Sequence, residues 1–266
     1  MTSTKPFTVP DCIQAKVQSR KIVVVTAYDF PTAQMLDQAG VDILLVGDSL
    51  GMVVQGHPHS LTVTLEDMIY HSSLVARGAR RSLVVTDMPF MSYQISPEQA
   101  LENAGRLVQE GGAHAVKLEG GVRTAAAIET VTQAHIPVMG HIGLTPQSIH
   151  QFGGFRVQRD EAQLLDDAQA VQEAGAFALV LEGMPSALGE KITKSLSIPT
   201  IGIGAGAGCD GQVLVFHDLF QYGVGHRPKF VKSYANLNQV ITEGTRHFID
   251  EVRSGAFPGE AQQYSS

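Results

Sequence analysis

The chain has 266 residues, 44% of them hydrophobic and 17% charged, with a formal net charge of −7. That is enough chain to bury a substantial core, as one large domain or two small ones. The acidic balance, without any basic run or basic amphipathic stretch, argues against nucleic acid or a membrane surface as partner, and no apolar run reaches membrane-spanning length.

The opening MTSTKPFTVP lacks the charged-then-apolar pattern of a secretory signal, so a cytoplasmic protein is expected. Two distant cysteines, Cys12 and Cys209, read as reduced thiols. Segment 8–20 reads as a helix placed before the first strand. Aliphatic strands follow at 22–26 (IVVVT), 42–47 (DILLVG), 83–87 (LVVTD), 114–119 (HAVKLE), 136–140 (IPVMG), 177–182 (FALVLE), 199–203 (PTIGI) and 213–217 (VLVFH). Helical periodicity lies between most of them, at 30–39, 64–78, 123–134, 160–174 and 185–196.

In ISPEQALENAGRLVQEGG the start and stop signals are explicit. Ser96 is the N-cap, Pro97 the first helical position and Gln99 the completion of a capping box, with Gly111 or Gly112 at the end. GIGAGAGCDGQ, between the seventh and eighth strands, is too short and glycine-rich for a full helix, and a last helix at 236–254 precedes a polar tail. A repeat underlies this order. EGGAHAVKLEG at 110–120 is echoed by EAGAFALVLEG at 173–183 and more loosely by QAGVDILLVGDS at 38–49, each a helix end, a glycine turn and a strand ending in an acid.

Near-continuous aliphatic strands alternating with helices mean a parallel sheet covered on both faces. Eight such strands point to one (β/α)8 TIM barrel over 1–266, with an extra N-terminal helix closing its floor; an open doubly wound sheet is the competing architecture. In a barrel, polar residues that terminate aliphatic strands converge on one mouth. Here LLVGDS ends in Asp48 and Ser49, LVVTD in Asp87, AVKLE carries Lys117 and Glu119, PVMGH ends in His141 and LVLE in Glu182. Lys117 and Glu119, two apart on a strand, share one face, and that face is the interior.

Bland readings stand beside these. A single acid after a strand is more often a helix cap or a solvated loop residue, and coincidence over five successive strands is what points to a site. Lys117 can be a structural ion-pair partner of Glu119 or an aspartate, and His141 a satisfied core histidine. His57 and His59, in HPH, suit a loop better than a zinc site. The run Gly202 to Gly208 does not open a helix, which argues against dinucleotide binding. It is read either as a tight connection or as a phosphate loop of a phosphosugar aldolase or isomerase.

Asp48, Asp87 and Glu119 are hard oxygen donors that suit Mg²⁺ or Mn²⁺ better than Zn²⁺. Such an ion would bridge protein carboxylates to an anionic substrate, with Lys117 as a second positive charge and Glu182 free for proton transfer.

Several blocks then carry a resemblance: TAYD at 26–29, LLVGDSLGM from Leu44 to Met52, QGH at 55–57, DMPFMSY at 87–93, VKLEGG at 116–121, GHIGLTPQS at 140–148, FGGF at 152–155, LVLEG at 179–183, IGIGAG at 201–206, DGQVLVFHD at 210–218 and PKFVK at 228–232. End to end, the sequence resembles the ketopantoate hydroxymethyltransferase family. The resemblance implies a barrel of the phosphoenolpyruvate/pyruvate type that makes 2-dehydropantoate from 3-methyl-2-oxobutanoate in pantothenate biosynthesis. It implies 5,10-methylenetetrahydrofolate as co-substrate, Mg²⁺ as metal and a homodecamer. By position it implies metal ligands at Asp48, Asp87 and Glu119, oxoacid contacts at Asp48, Ser49, Asp87 and Lys117, and a proton acceptor at Glu182. Two other functions compete: a related barrel that cleaves or rearranges oxoacids without folate, and a catalytically silent barrel that binds a metabolite or scaffolds an assembly.

Overall fold

A computed structural model describes residues 5–223 and 228–264, so the first four residues of the opening stretch and the last two of the tail lie outside the described residues. It divides into two compact units, Met1–Val215 and Phe216–Ser266.

The first unit is a closed barrel of eight parallel strands in chain order. They are β1 (Ile22–Thr26), β2 (Ile43–Val46), β3 (Leu83–Asp87), β4 (Ala115–Glu119), β5 (Val138–Gly143), β6 (Ala178–Glu182), β7 (Thr200–Ile203) and β8 (Gly211–Leu214). Helix α1 (Val9–Val17) precedes them, and α2 (Phe30–Ala39), α3 (Leu50–Val53), α4 (Leu65–Gly78), α5 (Pro97–Gln109), α6 (Ala125–Gln133), α7 (Ile149–Phe152), α8 (Glu161–Glu173) and α9 (Ser186–Ser195) fill the connections. Pairing of β8 with β1, Val213 opposite Val24, closes the ring and settles the architecture against an open sheet.

Alternation along each strand sends one set of side chains inward. Ile22, Val24, Ile43, Leu45, Leu83, Val85, Met139, Val180, Ile201 and Val213 belong to one buried interior cluster. On β4 the alternate residues Val116 and Leu118 are fully buried but lie outside that cluster, on the helix-facing side. Helix α1 stoppers the floor as expected: Cys12 and Ala15 join the interior cluster, and the Lys16 ammonium donates to Asp210 Oδ2 at 2.7 Å, just ahead of β8. Both cysteines are free.

The three repeat glycines do what a helix-to-strand turn demands. Gly40, Gly112 and Gly175 have φ of 95°, 70° and 92°, the left-handed region that other residues enter at a cost.

Three expectations need correction. β5 starts two residues later than the apolar pattern, because Pro137 has no N–H to give to a ladder, and it runs on to Gly143, so His141 lies within the strand. β8 spans Gly211–Leu214 and not 213–217, since the chain turns into α10 (Phe216–Phe220). At α5, Ser96 Oγ does accept from Gln99 N–H at 3.2 Å, but the Gln99 side chain does not return to Ser96. It accepts from Ile95 N–H and donates to Met91 O at 3.1 Å, leaving only half a capping box.

In the second unit, α10 is followed by α11 (Leu237–Ser254), capped by Asn236 and ended by left-handed Gly255. Asn238 ties this unit internally, its side chain bonding the Gly223 carbonyl and N–H at 2.7 and 2.8 Å.

Ile43 is fully buried in the barrel interior, so Ile43→Ala leaves a cavity there. Loss of about 2–5 kcal/mol of unfolding free energy is expected in a urea titration; a loss under about 1 kcal/mol would mean the interior is not close-packed.

Candidate active site

Above the aliphatic layers the inward positions turn polar. Asp87 pairs with Lys117 in the β3–β4 register and Glu119 with His141 in the β4–β5 register, while Glu182 ends β6 opposite Gly143. Two residues beyond Val85, Ala115, Met139 and Val180, on β3 to β6, the interior changes from hydrocarbon to ionisable groups.

The groups are joined in an unbroken chain. Asp48 donates its main-chain N–H to Asp87 Oδ2 at 3.1 Å. The Lys117 Nζ lies 3.0 Å from Asp87 Oδ1 and 4.0 Å from Glu119 Oε1. His141 Nδ1 lies 3.4 Å from Glu119 Oε1, and its Nε2 lies 3.2 Å from Glu182 Oε2. Asp87 Oδ1 and His141 Nε2 sit at ion-pair distance from their partners yet out of hydrogen-bond alignment. Neither aspartate caps a helix: α3 begins on Ser49, whose Oγ lies 2.8 Å from the Tyr28 hydroxyl.

Burial sets the electrostatics. Burial first, then the charges of Glu119 and Asp87, push the Asp48 carboxyl up to about 8. Burial also raises Asp87, against the pull of Lys117. Burial opposes the Lys117 ammonium, but Asp87, Glu119 and Asp48 outweigh it and hold its pKa above the ordinary lysine range. For Glu119 the desolvation cost is overcome by His141, and the carboxyl titrates below its usual value. The His141 ring, opposed by burial and by Lys117, has an acidic acceptor at each nitrogen and is carried up to about 9. Glu182 is the most open member, its side chain 14% exposed against 3–5% for His141, Glu119, Lys117 and Asp87.

Sequence reasoning brought these six strand-end residues together but missed the residues that brace them. Gln147, in the turn after β5, donates from Nε2 to Asp48 Oδ2 at 2.9 Å and from its main-chain N–H to Glu119 Oε2 at 3.0 Å. The Tyr93 hydroxyl lies 2.7 Å from Gln147 Oε1 and accepts from Glu119 N–H at 3.2 Å. Tyr28 reaches Ser49 in the same way. Their only signal was membership of the blocks TAYD, DMPFMSY and GHIGLTPQS, since neutral side chains in loops carry no charge pattern.

Among the described residues, no three His, Cys, Asp or Glu side chains converge as a ready-made metal site. Lys117 and Gln147 stand between the acids and space them. His59 belongs to a loop, its ring edge-on to that of His150 at 5.6 Å. The glycine run after β7 is close-packed on α9: a Cβ on Gly206, whose φ is 87°, would lie 2.4 Å from that of Ser186. A tight connection accounts for it. No described helix is long and apolar enough to cross a membrane.

A family model described as ketopantoate hydroxymethyltransferase matches residues 6–260. The chain is 55% identical over 264 residues, 98% of each chain, to 3-methyl-2-oxobutanoate hydroxymethyltransferase of Pelobacter propionicus. It is 49% identical over 255 residues, 94% of this chain and 93% of the relative, to the protein of that name from Clostridioides difficile. Among solved structures, a phosphonopyruvate hydrolase complex with oxalate and Mg++ is similar with a TM-score of 0.63 at 13% identity, over 96% of this chain and 93% of that one. A 2,3-dimethylmalate lyase of the PEP mutase/isocitrate lyase superfamily matches with a TM-score of 0.61 at 17% identity, over 100% and 92%. These two likenesses show the fold alone.

The raised Asp48 carboxyl has a thermodynamic consequence. Between about 4, its value in an unfolded chain, and about 8 in the folded one, the folded state holds a proton the unfolded state has lost, so stability falls as pH rises through that window. Asp48→Asn keeps an acceptor for Gln147 and removes this titration. In chelator, the variant is expected to equal the parent near pH 4 and to exceed it by roughly 2–4 kcal/mol at pH 8. Urea titrations at the two pH values check this, and a gap that stays constant would refute it.

Proposed function

The chain belongs to the ketopantoate hydroxymethyltransferase family, and from that premise we propose that it transfers a hydroxymethyl group from 5,10-methylenetetrahydrofolate to 3-methyl-2-oxobutanoate, giving 2-dehydropantoate for pantothenate synthesis in the cytoplasm. The observation that carries the proposal is the linked array in which two adjacent buried aspartates and an ammonium lie at one end and a more open glutamate at the other, joined through His141.

The residues fit a hard divalent cation such as Mg²⁺. Asp48 and Asp87 offer only oxygen, burial and the charge of Glu119 raise both carboxyls, and Asp87 Oδ1 has no aligned donor. Asp48 and Asp87 would hold the ion. Glu119, with both oxygens already facing partners, contributes its charge beside them. When bound, the ion supplies Lewis acidity, worth several kcal/mol of stabilisation for negative charge developing on a keto oxygen.

The protein's own groups do the rest. Lys117 stays protonated among its three acids, so it anchors the substrate carboxylate electrostatically and does not form a Schiff base. Ser49, held by Tyr28, is a hydrogen-bonding partner for the oxoacid. Glu182 accepts the C3 proton, and the electron pair of that C–H bond becomes the enolate. His141 sets a positively disposed ring beside the Glu182 carboxylate, its Nε2 3.2 Å from Oε2. The enolate carbon bonds to the one-carbon unit, water supplies the hydroxyl oxygen as the two C–N bonds of that unit break, and tetrahydrofolate leaves with two N–H protons, one from water and one from Glu182. No enzyme nucleophile is needed.

The direct test mixes the protein with 3-methyl-2-oxobutanoate, methylenetetrahydrofolate and Mg²⁺. Hydroxymethylated product is expected, and excess chelator is expected to abolish it; turnover of the oxoacid without the folate would point instead to a lyase or mutase. For the base, Glu182→Gln is expected to retain oxoacid binding while slowing exchange of the C3 proton into deuterated water by about 10²- to 10⁴-fold. Unimpaired exchange would remove Glu182 from that role.

A further inference from the structure

Asp48 follows β2 and Glu119 ends β4. These strands do not pair, since β3 lies between them, so no ladder bond joins the two directly and the spacing of their carboxylates is left to side-chain contacts. Like charges in a buried site push apart unless something braces them. Gln147 is the one described residue that hydrogen-bonds both carboxylates, the first through its side-chain amide and the second through its main-chain N–H.

Every polar atom of that amide is used. Nε2 donates to Asp48 Oδ2 at 2.9 Å and to the Met88 carbonyl at 3.0 Å. Oε1 faces the Tyr93 hydroxyl at 2.7 Å and Gln94 Nε2 at 3.0 Å. With two donors on its oxygen and two acceptors on its nitrogen, the amide has only one satisfactory orientation, and a flipped one would set oxygen against the Asp48 carboxylate. The turn beneath it is fixed as well. Pro146 opens it, and Ser148 N–H closes on Thr145 O at 2.9 Å. A neutral donor also suits the task, because it grips Asp48 without cancelling the charge a cation would use, as a lysine would.

We propose that Gln147 is the positioning residue of the acidic cluster: it sets the separation of Asp48 and Glu119, and Tyr93 acts through it by fixing which way its amide points. This deepens the cation reading above and rests on it. Gln147 touches none of the reacting atoms. Its effect falls on the affinity for the ion and for the oxoacid held with it.

Mn²⁺ binding, followed by electron paramagnetic resonance, provides a readout independent of turnover. Gln147→Met keeps the volume and the main-chain N–H but removes the amide. The Mn²⁺ dissociation constant is expected to rise about 10- to 100-fold, the range seen when groups supporting metal ligands are removed. In steady-state kinetics KM for 3-methyl-2-oxobutanoate rises with it, and kcat at saturating metal and substrate changes far less. Tyr93→Phe is expected to weaken Mn²⁺ by about 2- to 12-fold, the equivalent of one neutral hydrogen bond, and to have a smaller effect on top of Gln147→Met than alone, the remainder coming from its direct contact with Glu119 N–H. An unchanged Mn²⁺ affinity in a folded Gln147→Met protein, or fully additive effects of the two changes, would overturn the positioning role while leaving the function intact. If Gln147→Met does not fold, Tyr93→Phe carries the test, and parental Mn²⁺ affinity there overturns it. A wild-type protein that takes up no Mn²⁺ removes the cation reading and this role together.

Discussion

The site depends on a cation that the chain itself buries. Three carboxylates, on Asp48, Asp87 and Glu119, are nearly inaccessible to water. Isolated charges at that depth cost many kcal/mol, and a protein that could not offset the cost would protonate them or open up. Lys117 is the offset. Its ammonium reaches Asp87 directly and Glu119 more distantly, and it stands in β4 because a strand with period 2 delivers residues 117 and 119 to the same side. His141, on the neighbouring strand, adds a second positively disposed group between Glu119 and Glu182. The compensation is incomplete, and Asp48 bears the remainder as a carboxyl that resists ionisation.

The barrel separates stability from chemistry by height along its axis. The lower interior, from Ile22 and Ile43 to Met139 and Val213, is hydrocarbon throughout and holds the ring closed. The upper interior carries the charged groups on the same strands, so side chains with costly solvation needs are positioned by backbone already fixed from below. Acids elsewhere follow other rules. Asp37 accepts the N–H groups of Arg81 and Ser82, and Asp42 takes a two-pronged contact from Arg20. Both are buried, yet their partners are local and structural.

Much of this was legible in the sequence for a definite reason. Aliphatic runs that stop on an acid identify both strand and mouth, so β3, β4 and β6 fell within a residue of expectation and Asp87, Lys117, Glu119 and Glu182 shared one face. Boundaries failed where a local effect overrode the apolar pattern. Pro137 delayed β5, and the apolar residues after Leu214 became α10 instead of prolonging β8. The capping box failed because Gln99 found partners in the preceding loop. Gln147, Tyr93 and Tyr28 were invisible for a deeper reason. Their importance lies in which atoms they meet across separate loops, and one-dimensional spacing does not encode that.

The stopper at the barrel floor also sets which end is free for chemistry. Cys12 and Ala15 pack into the interior cluster at the base of the strands, and the charged groups stand at the opposite strand ends. The floor end of the barrel is thereby given over to packing, and the chemistry is confined to the other.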